Sequence, residues 1–148
     1  MNPVRRLSVS TPPSRPPSSF GEPRPLRGGS TGLRATSVRD GSAVIVSVAG
    51  EVDASNEDFW SHLLSKMGAA ATAPGPFVVD VRGLRFLACG AFPILAREAQ
   101  RCRRRGFNLH LVSNRAAIAR TAAACGLRPV LLIFPTVRFS HLGLVSLL

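Results

Sequence analysis

The sequence predicts an α/β domain: a small mixed β-sheet with helices packed on it, behind a disordered N-terminal tail. Three observations predict it. Short apolar runs of strand length alternate with segments of helical periodicity. Asp40-Gly41 between the first two β-rich runs is a hairpin signal, which makes that pair antiparallel. Each later strand is separated from the next by a helix, the pattern of parallel pairing. The expected order is ββαβαβα followed by a short apolar C-terminal segment.

Residues 1–30 hold seven of the twelve prolines, five arginines and one acid, Glu22. Proline lacks an amide hydrogen and fixes φ, so "STPPSRPPSSF" suits neither a helix interior nor a central strand. The segment carries too little apolar surface to offset ordering entropy and reads as a basic, disordered tail. The folded domain is expected over 31–148, with order starting near Leu33.

"LRATSVRD" is the first strand, and Ala43 to Ala49, rich in β-branched residues, is a central one. Asp53 or Ser55 can cap the next helix, with Glu57 and Asp58 in its first turn, where the helix dipole favours anions. Phe59, Trp60, Leu63, Leu64 and Met67 fall on its apolar face. "TAPGP" breaks the chain. Phe77 to Val81 is a continuous apolar run, as in a strand covered on both sides. "RGLRFLACGAFPIL" then reads as a strand running into a helix. Pro93 is tolerated only in a first turn, so the helix starts near Gly90 and spans Ala91 to Arg105. Phe92, Leu95, Ala99 and Cys102 share its core face. Arg97, Arg101, Arg104 and Arg105 crowd the other, which reads as a solvated face.

Gly106 ends that helix, and "FNLHLVS" is a strand. Ser113 or Asn114 is expected to cap a third helix, Ala116 to Ala124, closed by Gly126. "PVLLIFPT" is a last strand or buried loop. "VRFSHLGLVSLL" is expected to form a terminal helix.

The 148 residues suit one domain, with a net charge of +11 from eighteen Arg and one Lys against eight acids. Positive charge favours acidic partners, but much of it lies in the tail and on one helix. Only Phe107 accompanies the "RCRRRG" run as a stacking residue, which argues against nucleic-acid recognition. No stretch reaches the roughly 20 apolar residues of a membrane span, and nothing resembles a signal peptide's apolar region. The expected location is the cytoplasm.

An enzyme is not expected. His62, His110 and His141 are not tied to any nucleophile by a local motif, and phosphate-binding glycine loops are absent. Cys89, Cys102 and Cys125 lack the paired short spacing of structural metal sites, so neither metal nor cofactor is expected. An odd, widely spaced set of three is no disulfide framework. Cys89 stands apart because it falls where a strand hands over to a helix, a place suited to a reactive thiol. Cys102 falls on a core face and Cys125 at a helix C-terminus.

"GEVDASNEDFW", "PFVVDVRGLRFLACGAF", "AQRCRRRGFNLHLVS" and "ARTAAACGL" resemble, in order and spacing, the STAS domain of anti-sigma factor antagonists, closest to the mycobacterial type. The likeness runs from about Leu33 to Phe134. It implies the STAS fold and a protein partner, an anti-sigma factor related to histidine-kinase ATPases, whose capture frees a sigma factor and so regulates transcription, as in stress responses. In the family that partner phosphorylates a serine in an Asp-Ser-Ser/Thr-Gly motif at the strand-to-helix junction. Here the four positions are Ala88, Cys89, Gly90 and Ala91, so the phosphorylated position has no hydroxyl. The family's acidic loop is kept as Glu51 and Asp53. The resemblance therefore implies a partner-binding surface of Glu51, Asp53, Ala88, Cys89, Gly90 and Ala91. Control would be either absent or redox-based, through Cys89 with Cys102 or Cys125 as candidate disulfide partners.

Overall fold

The computed structural model describes residues 24–26, 32–140 and 143–147, with the backbone alone for 24–26, 137–140 and 143–147. The strands are β1 Arg24–Leu26, β2 Leu33–Asp40, β3 Ala43–Val52, β4 Phe77–Leu87, β5 Leu109–Val112, β6 Leu132–Phe134, β7 Val137–Ser140 and β8 Gly143–Leu147. The helices are α1 Glu57–Ala70, α2 Ala91–Arg104 and α3 Ala116–Ala124. Strands β1 to β6 form one sheet in chain order, with β1–β2–β3 antiparallel and β3–β4–β5–β6 parallel. The mixed α/β architecture and the order ββαβαβα are as the sequence predicts.

Local chemistry explains the elements. Gly41 adopts φ +65° in the two-residue loop between β2 and β3, a conformation costly for any residue with a Cβ. The side chains of β3 and β4 that face the helices (Val44, Val46, Val48, Val79, Val81) join Trp60, Leu63 and Leu64 of α1, Phe92 and Leu95 of α2, and Ile118 and Ala122 of α3 in one core. The opposite sheet face keeps a smaller cluster of Ala43, Ile45, Val78 and Val112, with Phe134 against it. Phe77 to Val81 is therefore buried throughout, as its unbroken apolar run implies.

The arginines of α2 are exposed, as expected, and several of them also hydrogen-bond to α1. Arg97 donates to Ser61 Oγ (3.0 Å) and Arg101 to Ser65 Oγ (3.3 Å). Arg105, just past the helix end, donates to the carbonyls of Gly68 (2.7 Å) and Ala71 (2.8 Å) and lies over the Phe107 ring. It adds a donor to carbonyls at and just past the end of α1, where the Gly68 carbonyl also accepts from the Ala71 amide (3.2 Å). At four-residue spacing on α2, these three guanidiniums lie on one face and reach along α1 in step. Glu98 of α2 is buried, and a Cβ at Gly68 of α1 would lie 2.6 Å from its Oε2, so the glycine is what lets the two helices close over that carboxylate.

Three expectations are corrected. Arg24–Leu26, inside the segment read as tail, pairs with Ala35–Ser37 as an edge strand. Three residues at a sheet edge need no core of their own, only free ladder groups on β2. The rest of the expected disordered tail lies outside the described residues. The C-terminal segment is not a helix but an antiparallel β7–β8 hairpin. Its Val and Phe suit a strand, and Gly143 opposes a helix. The third helix takes no side-chain cap from Ser113 or Asn114; its N-cap is Arg115, whose amide donates to Ser113 Oγ (3.2 Å) one step too early.

Candidate functional site

The acidic loop after β3 is fixed by short-range polar contacts. Asp53 opens a 3-10 turn, Ala54–Asn56, that leads into α1. Its Oδ1 accepts from the Ser55 amide (2.9 Å) and the Ser55 hydroxyl (2.6 Å), which hold the Asp53 carboxyl below the usual range. Asn56 is buried and works in both directions. Its Oδ1 accepts from the Asp53 amide (2.9 Å), and its Nδ2 donates to the Glu51 carbonyl (2.9 Å). This reciprocal capping box sets the loop's shape. Gly50 takes φ +109°, and a Cβ there would overlap the Gly32 carbonyl. Only glycine allows this approach of the two chains.

The Ala88 amide donates to the Val52 carbonyl (2.9 Å), which sets the strand-to-helix junction beside the acidic loop. Ala88 and Cys89 carbonyls then accept from Ala91 (2.9 Å) and Phe92 (3.1 Å) and start α2. Cys89 and Gly90 are exposed and Ala88 is half-buried. A Cβ on Gly90 would overlap the Glu57 carboxylate, so an acid lies across the position that follows the thiol. Trp60 Nε1 donates to the Ala91 carbonyl (3.3 Å) and pins the helix start onto α1.

The structure thus brings Glu51, Asp53, Ala88, Cys89 and Gly90 to one end of the sheet. Ala91, expected on the same surface, is instead fully buried: its side chain packs in the core, as a helix's inward first turn requires. Of the nearby arginines, Arg82 closes on Asp80 (2.7 Å) and Arg85 on Glu51 (3.3 Å), so each is committed to a carboxylate.

The three thiols differ as their positions dictate. Cys89 and Cys125 are exposed and free. Cys102 is buried in the core between α1 and α2, and desolvation pushes its thiol up to about 11. It lies thirteen residues along α2 from Cys89, about 20 Å by helical rise. A disulfide needs Cα atoms within about 7 Å. Cys102 as the disulfide partner of Cys89 is therefore corrected: it is both too far and sealed. Among the described residues, no group of three or more His, Cys, Asp or Glu could hold a metal ion, and no helix is long and apolar enough to cross a membrane.

Two features of the site escape sequence reading. One is the Glu57–Gly90 contact, since Glu57 reads simply as a first-turn acid. The other is Phe86, which alternation with Leu84 would place in the core but which is 52% exposed. A register shift in the β3–β4 ladder pairs Gly50 with Leu84 but Glu51 with Phe86, leaving Arg85 as an extra residue.

Comparison with known proteins bears on the family and the fold. The profile of the STAS domain matches residues 34–140. A Mycobacterium tuberculosis protein named as the anti-sigma-F factor antagonist RsfA is 43% identical over 136 residues, 92% of this chain and 94% of that protein. A second protein of that organism, Rv2638, whose name proposes an anti-anti-sigma factor, is 51% identical over 105 residues, 71% of each chain. The fold is similar to the crystal structure of an anti-sigma factor antagonist from Mycobacterium paratuberculosis (TM-score 0.61, 21% identity, covering 70% of this chain and 86% of that one). It is also similar to unphosphorylated SpoIIAA (TM-score 0.53, 12% identity, covering 67% and 86%).

Proposed function

The chain belongs to the STAS-domain family, and from that footing we propose that it is an anti-sigma factor antagonist: a non-catalytic cytoplasmic module that binds an anti-sigma factor and so releases a sigma factor for transcription. The partner is a kinase-like anti-sigma factor of the anti-sigma-F class, the class that the name of the relative RsfA carries. One observation supports the placement of the docking surface. The 2.9 Å bond from Ala88 to Val52 sets the exposed Cys89 beside the Glu51–Asp53 loop. A patch of this kind fits an interface of about 800 Å² per partner.

Cys89 takes the place of the family's phosphoserine. A serine kinase finds no hydroxyl there, so adding a phosphate, about −2 in charge, is not the off-switch. The exposed thiol supplies another: a peroxide oxidises it to sulfenic acid and is itself reduced to an alcohol or water, and a small thiol can then condense with the sulfenic acid to a mixed disulfide with loss of water; either product puts polar bulk at the same point. The burial of Cys102 favours a second reading, a constitutive binding module, because it removes one resolving thiol.

The test is titration calorimetry of the full chain with purified Mycobacterium tuberculosis anti-sigma-F factor, under reducing conditions and after peroxide, for wild type and Cys89→Ser. Binding by the reduced wild type, lost on oxidation and retained by Cys89→Ser, is the expected result. Equal affinity in all four leaves the constitutive module. No binding in any of them refutes the antagonist reading.

A further inference from the structure

The geometry points to Phe86 as the aromatic anchor of the partner interface, inserted into an apolar pocket on the anti-sigma factor. This inference rests on the antagonist reading and adds a residue to it.

Among the described residues only two large apolar side chains are exposed, Phe86 and Leu132. Single exposed apolar residues are common and need no explanation on their own. Phe86 differs in how it comes to be exposed. Leu84, two residues earlier on the same strand, is fully buried, and plain alternation would bury Phe86 beside it. The extra residue, Arg85, breaks that alternation and re-aims the side chain that follows. Phe86 then stands level with Glu51 rather than with Gly50.

The turned-out position is braced on both sides. The Arg85 guanidinium pairs with Glu51 across the ladder (3.3 Å), and the Arg85 carbonyl accepts from Arg115 (3.0 Å). An aromatic ring has few torsions to freeze on docking, which suits an interface anchor. Phe86 also lies three residues before Cys89, so it is continuous with the docking surface already described.

The charge at this end of the sheet is mixed. The chain has a net charge of +11, yet four of its eight acids, Glu51, Asp53, Glu57 and Asp58, fall within eight residues at this end. A partner surface rich in Lys or Arg is attracted here and repelled elsewhere. Phe86 itself is flanked by Arg85, whose charge Glu51 offsets, and by Arg115, so the ring fits an apolar pocket whose rim carries both signs.

The experiment measures Kd for Mycobacterium tuberculosis anti-sigma-F factor with wild type, Phe86→Ala and Leu132→Ala, with thermal unfolding of each chain as the control for folding. Wild-type binding tests the antagonist reading by itself. Given that binding, Phe86→Ala is expected to raise Kd by about thirtyfold, the loss typical of an interface hot spot, and Leu132→Ala to leave it unchanged. Phe86→Leu, which keeps apolar bulk, is expected to recover part of the loss. A rise below about tenfold for Phe86→Ala in a folded chain overturns the inference. So does sedimentation showing that Phe86→Ala abolishes self-association of the wild type instead, because the ring then serves a second copy of this chain.

Discussion

Replacing Asn56 by alanine probes the link between fold and site. The side chain is buried and makes two 2.9 Å hydrogen bonds, one accepted from the Asp53 amide and one donated to the Glu51 carbonyl. Alanine leaves both backbone groups without that partner. Removing one side of a buried hydrogen bond costs about 1–3 kcal/mol. Glu51 and Asp53 are only half-buried, so water can reach part of the gap and the lower end applies to each. The loss is about 2 kcal/mol, in line with that of a strong helix cap. For a domain of this size that is a fall in Tm of about 8 °C. Urea denaturation and calorimetry measure it directly. Ser55→Ala is the control, because its hydroxyl bonds Asp53 at an exposed position and its loss should cost less than about 0.5 kcal/mol. A measured loss for Asn56→Ala below about 0.5 kcal/mol would refute the claim that this side chain builds the loop. The same variant should bind the anti-sigma factor more weakly than its residual stability explains, since the acidic loop loses its shape.

Other outcomes follow from single contacts. Ellman titration of the native reduced chain should show two fast thiols, Cys89 and Cys125, with Cys102 reacting only on unfolding; three fast thiols would contradict the core packing. Arg105→Ala should cost about 1 kcal/mol by urea denaturation because the Ala69 and Ala71 carbonyls lose this donor while Gly68 keeps the Ala71 amide; Arg104→Ala should be neutral. Burial holds the Glu98 carboxyl above its usual value, so the folded chain keeps this proton longer than the unfolded one. Stability from Glu98 is therefore greatest at low pH and falls as pH rises from about 4.5 through the raised folded value; Glu98→Gln should flatten that part of the curve. Gly50→Ala should destabilise strongly in thermal melts, because both the φ of +109° and the Gly32 carbonyl oppose a Cβ.

The sheet and helices were legible because their signals are local. β-branched runs, a hairpin at Asp40-Gly41, and Pro93 in a first turn each decide a conformation within a few residues. The junction at Cys89 was legible for the same reason. What escaped depends on partners distant in sequence. Phe86 faces solvent because of a register shift against β3, which no window on β4 reveals. The α2 arginines are exposed, as a helical wheel shows, but the wheel does not reveal their acceptors on α1, thirty-six residues away for Arg97 and Arg101. Ala91 was misplaced because a junction motif names positions without saying which of them turns inward. The C-terminal hairpin was misread because short apolar segments satisfy either period.

The central claim is that the junction carrying Cys89 is the surface that meets the anti-sigma factor. Cys89→Glu tests it most directly, because residue 89 is exposed at the start of α2, where the helix dipole tolerates a carboxylate. The expected result is a folded variant whose Tm falls by no more than about 2–4 °C from repulsion by Glu57, with a Kd for the anti-sigma-F factor raised by about tenfold or more. Undiminished affinity in the folded variant would contradict it.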